Sequence, residues 1–549
     1  MEKSIKREST LELEHYVPTD VPAQHPSSFE PMVFILNILM SVVGAIIGLQ
    51  LIVQLGISTN TAIIGAMVAM FVARIPLQIF QKFLSIHRQN LVQTAVSSAT
   101  FGASNSLLLP IGIPWLLGRI DLVLPTFIGV TCAMFLDAIL LYFMYDSKVF
   151  PGSGIWPPGV ATAESIIAGD QGGKRARLLL VGLVGGIAGA VFKIPMSAFG
   201  VAFIGNIWAL TMFGVGLLVR GYSVQFFGVD INQLYIPHGI MVGAGIVALI
   251  QIFFIMKNRS DAQLKAQAVE GAVSYTRSNE QVRKALGTGF VLYLLIACML
   301  AAITGLYTEM SSGMFAFWII FAAFAAIVHE LIVGLAAMHA GWFPAFATAL
   351  IFLILGMIIG FPGVALAVLV GFCATTGPAF ADMGYDLKTG WILRGRDRFP
   401  DFELQGRKQQ LFAALTGFTV AVICTGLTYT LYFQQNLFPP VDKVYIATIK
   451  AGLGDPQISK YLLMWAVPGA LIQWLGGSQR QMGVLFATGL LILYPQAGIA
   501  VLVAIVIRML CARIWGERAR GPQYILAAGF IAGDALYSFF NSIWKLKIK

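Results

Sequence analysis

The chain has 549 residues, 58% of them hydrophobic and only 11% charged, with a mean hydropathy of +0.80. Soluble domains carry about 25% charged residues, so this composition excludes soluble domains on an anchor and leaves one integral membrane body. The net charge of +10 gathers in a few loops, as cytoplasmic loops require, and those runs lack the aromatic interleaving and motifs that would suggest nucleic acid.

Residues 1–31 form a polar tail with Lys3, Lys6 and Arg7 and no apolar run. The tail is therefore expected to stay cytoplasmic and not to serve as a cleavable signal. Clear apolar segments follow at 32–54, 58–80, 121–146, 178–198, 200–220, 236–257, 285–307, 312–335, 343–360, 363–383, 410–433 and 494–511. Interrupted segments, carrying Ser, Thr, Asn, Gln, Gly or Pro, lie at 92–116, 158–169, 222–235, 460–475, 482–493 and 522–543. With about 20 residues per span, the expected fold is an all-α polytopic membrane protein of about 14–16 transmembrane or re-entrant helices.

Three long basic stretches, 258–284, 384–409 and 512–521, read as cytoplasmic loops, together with 170–177. Gln171–Gly172–Gly173–Lys174 is echoed by Gln405–Gly406–Arg407–Lys408, and Leu234–Ile240 by Leu493–Ile499. The echoes predict two pseudo-repeated halves, 32–307 and 308–545, as many transporters show. The 57 glycines suit close helix packing and discontinuous helices, and they permit a homodimer.

Trp156–Pro157–Pro158–Gly159–Val160–Ala161–Thr162–Ala163–Glu164 is the most informative stretch. Proline and glycine break a helix and release backbone polar groups, which membranes tolerate only inside protein or beside a wet cavity. Such a break implies that the protein moves something. Glu164 follows Val160 by one turn, which fits a substrate or proton role; pairing with Lys174 or Arg175 is the alternative.

Each charge inside a span costs about 2.5–3.5 kcal/mol on insertion scales and is a functional candidate by default. His329 and Glu330 sit mid-span, and either facing a cavity makes a proton relay. Lys193 is expected to snorkel to the interface, with a cavity-facing ammonium as the alternative. Asp137 and Asp534 are expected as structural hydrogen-bonding groups. Asn90, Gln93, Thr94, Ser97, Ser98 and Asn105 give one apolar segment many uncharged polar groups, suited to peptide amides or to gluing helices together.

Other chemistries find no residues. His329–Glu330–Leu331–Ile332–Val333 lacks the second histidine of a zinc protease, and no P-loop, dinucleotide fingerprint or nucleophile constellation occurs. Cys132, Cys298, Cys373, Cys424 and Cys511 stand singly, so neither disulfides nor a metal site is indicated. The expectation is a non-enzyme without cofactor.

Four segments together resemble the oligopeptide transporter superfamily, in its bacterial type, which includes oligopeptide and yellow-stripe-like transporters. Asn90–Leu91–Val92–Gln93–Thr94–Ala95 is like its N-x-x-Q-T segment, and Trp156–Ala163 is like its P-x-G-x-A-x-A segment. Asp386–Leu387–Lys388–Thr389–Gly390 is like its D-x-K-T-G loop, and Ala528–Ala535 resembles its glycine-rich last span, with Asp534 where Glu is commoner. The motifs keep their order and span roughly 30–545.

The resemblance implies a helical fold of about 16 crossings in the cell membrane and proton-coupled import of small peptides or metal complexes of peptide-like chelators. It places substrate contacts at Asn90, Gln93, Thr94, Gly159, Thr162 and Glu164, with Asp386, Lys388 and Thr389 in a cytoplasmic loop. Glu164, Glu330 and His329 are the expected proton-coupling groups. The chain departs from the family pattern at Arg394–Glu403, a charged insertion after that loop, and at Pro158. An uncoupled channel or facilitator for small polar solutes is the alternative function.

Overall fold

The computed structural model describes residues 24–56, 81–169, 174–267, 275–340, 345–452, 456–477 and 480–547. The expected span 58–80 and the echo residues 171–173 lie outside them. The described residues are helical almost throughout. The first helices are α1 (Pro31–Leu55), α2 (Ile86–Phe101), α3 (Leu109–Leu116) and α4 (Val123–Met144). A π-helical turn, Gly102–Leu108, joins α2 to α3. Next come α5 (Pro157–Gly169), α6 (Lys174–Val191), α7 (Met196–Ile204), α8 (Ile207–Phe227) and α9 (Ile236–Gln267).

The chain continues with α10 (Asn279–Ile303), α11 (Ser312–Ala340), α12 (Ala345–Ile359), α13 (Gly363–Thr375) and α14 (Pro378–Leu393). It closes with α15 (Pro400–Gln434), α16 (Pro440–Gly452), α17 (Pro456–Gly476), α18 (Met482–Leu491), α19 (Pro495–Trp515) and α20 (Arg520–Lys547). Among the described residues, eight helical stretches are long and apolar enough to cross a membrane. The protein is an all-α polytopic membrane protein.

Two expectations change. The stretch 384–409 is not one loop: 384–393 completes α14 and is buried throughout, and 400–409 opens α15. The apolar run 200–220 is cut at Gly205–Asn206, where Asn206 caps α8 by accepting from Trp208 N–H at 3.0 Å and Ala209 N–H at 3.2 Å. Local capping chemistry overrides hydropathy there.

Helix packing follows a mirrored plan. α6 packs on α20 as α17 packs on α9, α7 on α19 as α18 on α8, and α5 on α14 as α16 on α3. The paired elements agree in length: α5 and α16 have 13 residues each, α8 and α19 have 21 each. Directions are inverted. Arg407, near the start of α15, reaches the carbonyl of Tyr145 at the end of α4, while Phe127 near the start of α4 lies by Gly426. The pair is therefore antiparallel. α2 and α3 run along α15, with His87 beside Phe402 and Trp115 beside Phe433. α13 and α14 run along α4, with Gly371 beside Thr126 and Gly377 bonded to Asp137. α10 has no counterpart in this plan.

Glycine sets the closest approaches. A Cβ on Gly243 of α9 would stand 1.8 Å from the Ala466 carbonyl of α17, and one on Gly469 of α17 would stand 2.1 Å from the Ile240 carbonyl. Helix backbones touch there, as membrane packing without a hydrophobic driving force favours.

Candidate transport site

The helix breaks converge on one cavity of about 500 Å³, within the range of about 300–1,000 Å³ usual for small-molecule sites. Its wall includes Asn105 of the π-helical turn, Pro158 and Ala161 of α5, and Gly205–Asn206 between α7 and α8. Ala374 and Pro378 flank the α13–α14 break, and Val441 and Tyr445 of α16 stand in the mirrored position to α5. Tyr385, Gln481, Thr488 and Tyr524 add polar atoms, and among the described residues none that lines the cavity carries a charge.

The Pro–Pro stretch builds its part of the wall through strain and close packing. Trp156 adopts φ +38°, a region a bulky residue rarely occupies. Its N–H donates to the Met338 carbonyl at 2.9 Å, and its ring lies where a Cβ on Gly384 would stand. α5 is thereby seated on α14, where Thr389 Oγ1 donates to the Gly159 carbonyl at 3.0 Å. Thr162 Oγ1 donates back to the Pro158 carbonyl at 3.0 Å.

Asp386, Lys388 and Thr389 were expected in a cytoplasmic loop; they lie on α14, all buried. The helix persists because most of its buried polar side chains find a partner inside the protein, although Asp382 Oδ2, Asp386 Oδ2 and Tyr385 Oη have none among the described residues. Gln93 Nε2 donates to Asp386 Oδ1, Ser97 Oγ donates to Asp382 Oδ1 at 2.5 Å, and Gln410 Nε2 donates to Thr94 Oγ1 at 3.1 Å and to the Asp386 carbonyl at 2.7 Å. Lys388 Nζ donates to the Gly152 carbonyl at 2.9 Å and sits 4.1 Å from the Trp391 ring centroid. Such cation–π contacts gain strength when desolvated.

Asn90, Gln93, Thr94, Gly159, Thr162, Asp386, Lys388 and Thr389 are thus gathered around the α2–α5–α14 junction, but they are not in the cavity wall. Asn90 is fully buried, and neither of its amide atoms has a hydrogen-bond partner among the described residues. Glu164 falls on α5, and its side chain lies outside the described residues. The charged insertion closes on itself: Arg394 Nε pairs with Glu403 Oε2 at 2.5 Å, and Arg407 pairs with Glu403 at 3.3 Å and Asp146 at 3.6 Å. Beside it, burial pushes the Asp397 carboxyl up, against a 3.0 Å hydrogen bond from Trp391 Nε1.

His329 and Glu330 face different partners. His329 Nε2 donates to the Ala345 carbonyl at 2.9 Å, with Nδ1 3.3 Å from Thr376 Oγ1. Glu330 Oε2 lies 2.5 Å from Tyr293 Oη of α10, which is also 2.5 Å from Asp137 Oδ1. Asp137 Oδ2 takes the N–H of Gly377 at 2.6 Å, at the α13–α14 break. Thr375 Oγ1 donates to the Ser106 carbonyl and so ties that break to the π-helical turn.

Lys193 is exposed in the connection after α6, away from the cavity. Asp534 Oδ2 accepts the Ser197 N–H at 2.6 Å at the start of α7. Sequence inspection missed Asp382, Tyr385 and Asp442. Asp382 shares a helix face with Tyr385 and Asp386 at spacings of three and four residues, a signal available in the sequence. Asp442 is fully buried against Gly112, with no hydrogen-bond partner for either carboxylate oxygen among the described residues. Among the described residues no cluster of His, Cys, Asp or Glu could hold a metal ion.

A helical membrane body with a cavity walled by broken helices is an architecture that transporters use. The family profile described as OPT oligopeptide transporter protein matches residues 31–234 and 223–545. The chain belongs to this family of oligopeptide transporters. A search of curated proteins returned no match.

Proposed function

We propose that this protein is a proton-coupled importer of small peptides whose side chains are uncharged, working in the cell membrane through two inverted halves. The observation that carries the proposal is the cavity of about 500 Å³, walled by helix breaks and, among the described residues, without a charged side chain in its lining. Peptide amides find hydrogen-bonding groups in Asn105, Tyr385, Gln481 and Thr488, and apolar side chains find Phe101, Met241 and Phe346. A highly charged metal chelate would be desolvated there with no opposing charge in the wall, which is costly.

The mirrored packing supports halves near 32–307 and 308–545, with α5 and α16 as equivalent broken elements. Gln93, Thr94, Asp386, Lys388 and Thr389 position α14 and α5, and thereby Tyr385 and Pro158, rather than touching substrate in this conformation. Glu330, with His329 beside it and Glu164 on α5, supplies the titratable groups for coupling. Neutralising a buried charge favours the loaded form that can reorient.

The decisive measurement is lumenal pH in proteoliposomes on adding trialanine, then an iron–chelate complex. Acidification with trialanine alone supports the proposal, and acidification with the chelate alone overturns its substrate class. Entry of labelled trialanine without any pH change, and without sensitivity to protonophore, would make the protein an uncoupled facilitator.

A further inference from the structure

We propose that Asp137, Tyr293 and Glu330 together hold the transported proton, with Tyr293 as a bridge between two carboxyl groups that share it. The inference rests on the coupled-transport reading above and names the atoms that carry the proton. Tyr293 Oη lies 2.5 Å from Asp137 Oδ1 and 2.5 Å from Glu330 Oε2. A phenol has one proton to donate. It can satisfy one carboxylate; the second contact at this distance needs a proton from the other side. One of the two carboxyl groups is therefore the acid, donating to the phenol oxygen or directly to the other carboxylate, which also lies within hydrogen-bonding reach.

The resting triad thus holds two protons and one negative charge. Gly377 N–H, 2.6 Å from Asp137 Oδ2, favours the carboxylate at Asp137. Glu330 Oε1 has no partner among the described residues, which suits the carbonyl oxygen of an acid. All three side chains are fully buried. The ionisable groups acting on each are the other two. From the elements packed around them, His329 turns to Ala345 and Thr376, Asp382 to Ser97, and the Cys373 thiol is buried on α13.

The triad is built to feel the cavity. Gly377 sits between Thr376 and Pro378 with φ +101°, so the bond to Asp137 holds the α13–α14 break in a shape that favours glycine. Pro378 and Ala374, on either side of the break, are in the cavity wall. Tyr293 comes from α10, the helix outside the mirrored plan. A proton from the outer side converts the remaining carboxylate to the acid and takes the triad from one negative charge to neutral. Its loss to the cytoplasm restores the charge, so one proton crosses per cycle and no other reactant is consumed.

Two measurements test this. Infrared spectra of the protein in lipid vesicles at neutral pH should show a protonated-carboxyl carbonyl band that Glu330→Gln removes and Tyr293→Phe shifts in frequency. A band unchanged by both substitutions overturns the proposal, whatever the substrate. In proteoliposomes with an imposed pH gradient, Glu330→Gln and Asp137→Asn should lose driven accumulation of trialanine, while trialanine counterflow, which also reports folding, falls far less. Accumulation at the wild-type level in both variants overturns the triad and leaves coupled transport standing. A wild-type protein that carries no trialanine, but shows the Glu330-dependent band, overturns the transport reading and keeps the shared proton.

Discussion

His25 shows how a single side chain can be tuned by its place beside a basic cluster. Its ring lies against those of His87 and Phe402, and its Nδ1 donates to the Pro26 carbonyl at 2.9 Å. Burial, then the Arg394 guanidinium, His87 and Arg88, pull its pKa from 6.5 down to about 2, against the Pro26 bond. The docked tail therefore binds this histidine in neutral form. The undocked tail gains a proton below pH 6.5, so docking is fully favourable above that value and weakens as pH falls from 6.5 toward 2. Hydrogen-exchange protection at 24–30, taken relative to the unfolded peptide at the same pH, should fall through that window and fall less in His25→Phe, where only the neighbouring His87 still titrates. Lys388 is kept inside by another device. Among the described residues no carboxylate lies within 4.0 Å of it, and its ammonium is held by the Gly152 carbonyl and the Trp391 ring.

Among elements, broken helices and glycine contacts do different work. The breaks at Gly205–Asn206 and at Thr376–Gly377 place backbone at the cavity, whereas the α9–α17 contact is a plain weld. The approach there is backbone to side-chain position, so no flexible group can yield. Gly243→Ala should lower stability by about 1–3 kcal/mol through overpacking, read as an earlier thermal midpoint in detergent. An equal substitution at Gly287, where a Cβ meets nothing within 4 Å, should leave the midpoint in place. The charged insertion is likewise an element with its own closure. Arg394 and Glu403 at its two ends are buried and paired, with Arg407 of α15 joining Glu403, whereas Asp397, Arg398 and Asp401 between them are exposed.

For the whole molecule, the proposed halves and the basic loops predict an orientation. Positive charge near 174–177, 394–408 and 513–520 predicts the cytoplasmic face, and α6 carries the chain from that end toward Lys193. With the five native cysteines replaced, Lys193→Cys should react with an impermeant maleimide from outside the cell. Lys408→Cys, exposed near the start of α15, should react only after the membrane is opened. The reverse pattern would invert the molecule in the membrane and turn import into export.

Hydropathy alone determined that this chain is an all-α membrane body, because lipid leaves the backbone few ways to satisfy its polar groups. The Pro–Pro–Gly stretch was legible for the same reason, and so was the polar face of α2. The sequence placed Asp386, Lys388 and Thr389 in a loop because charge normally lies outside the membrane; only tertiary structure supplied the partners that keep them in α14. Tyr293 could not be found by inspection, since a tyrosine in an apolar span looks like packing. Its partners stand 156 residues before it and 37 after it. A shared proton depends on distances between oxygens, and those exist only once α4, α10 and α11 have met.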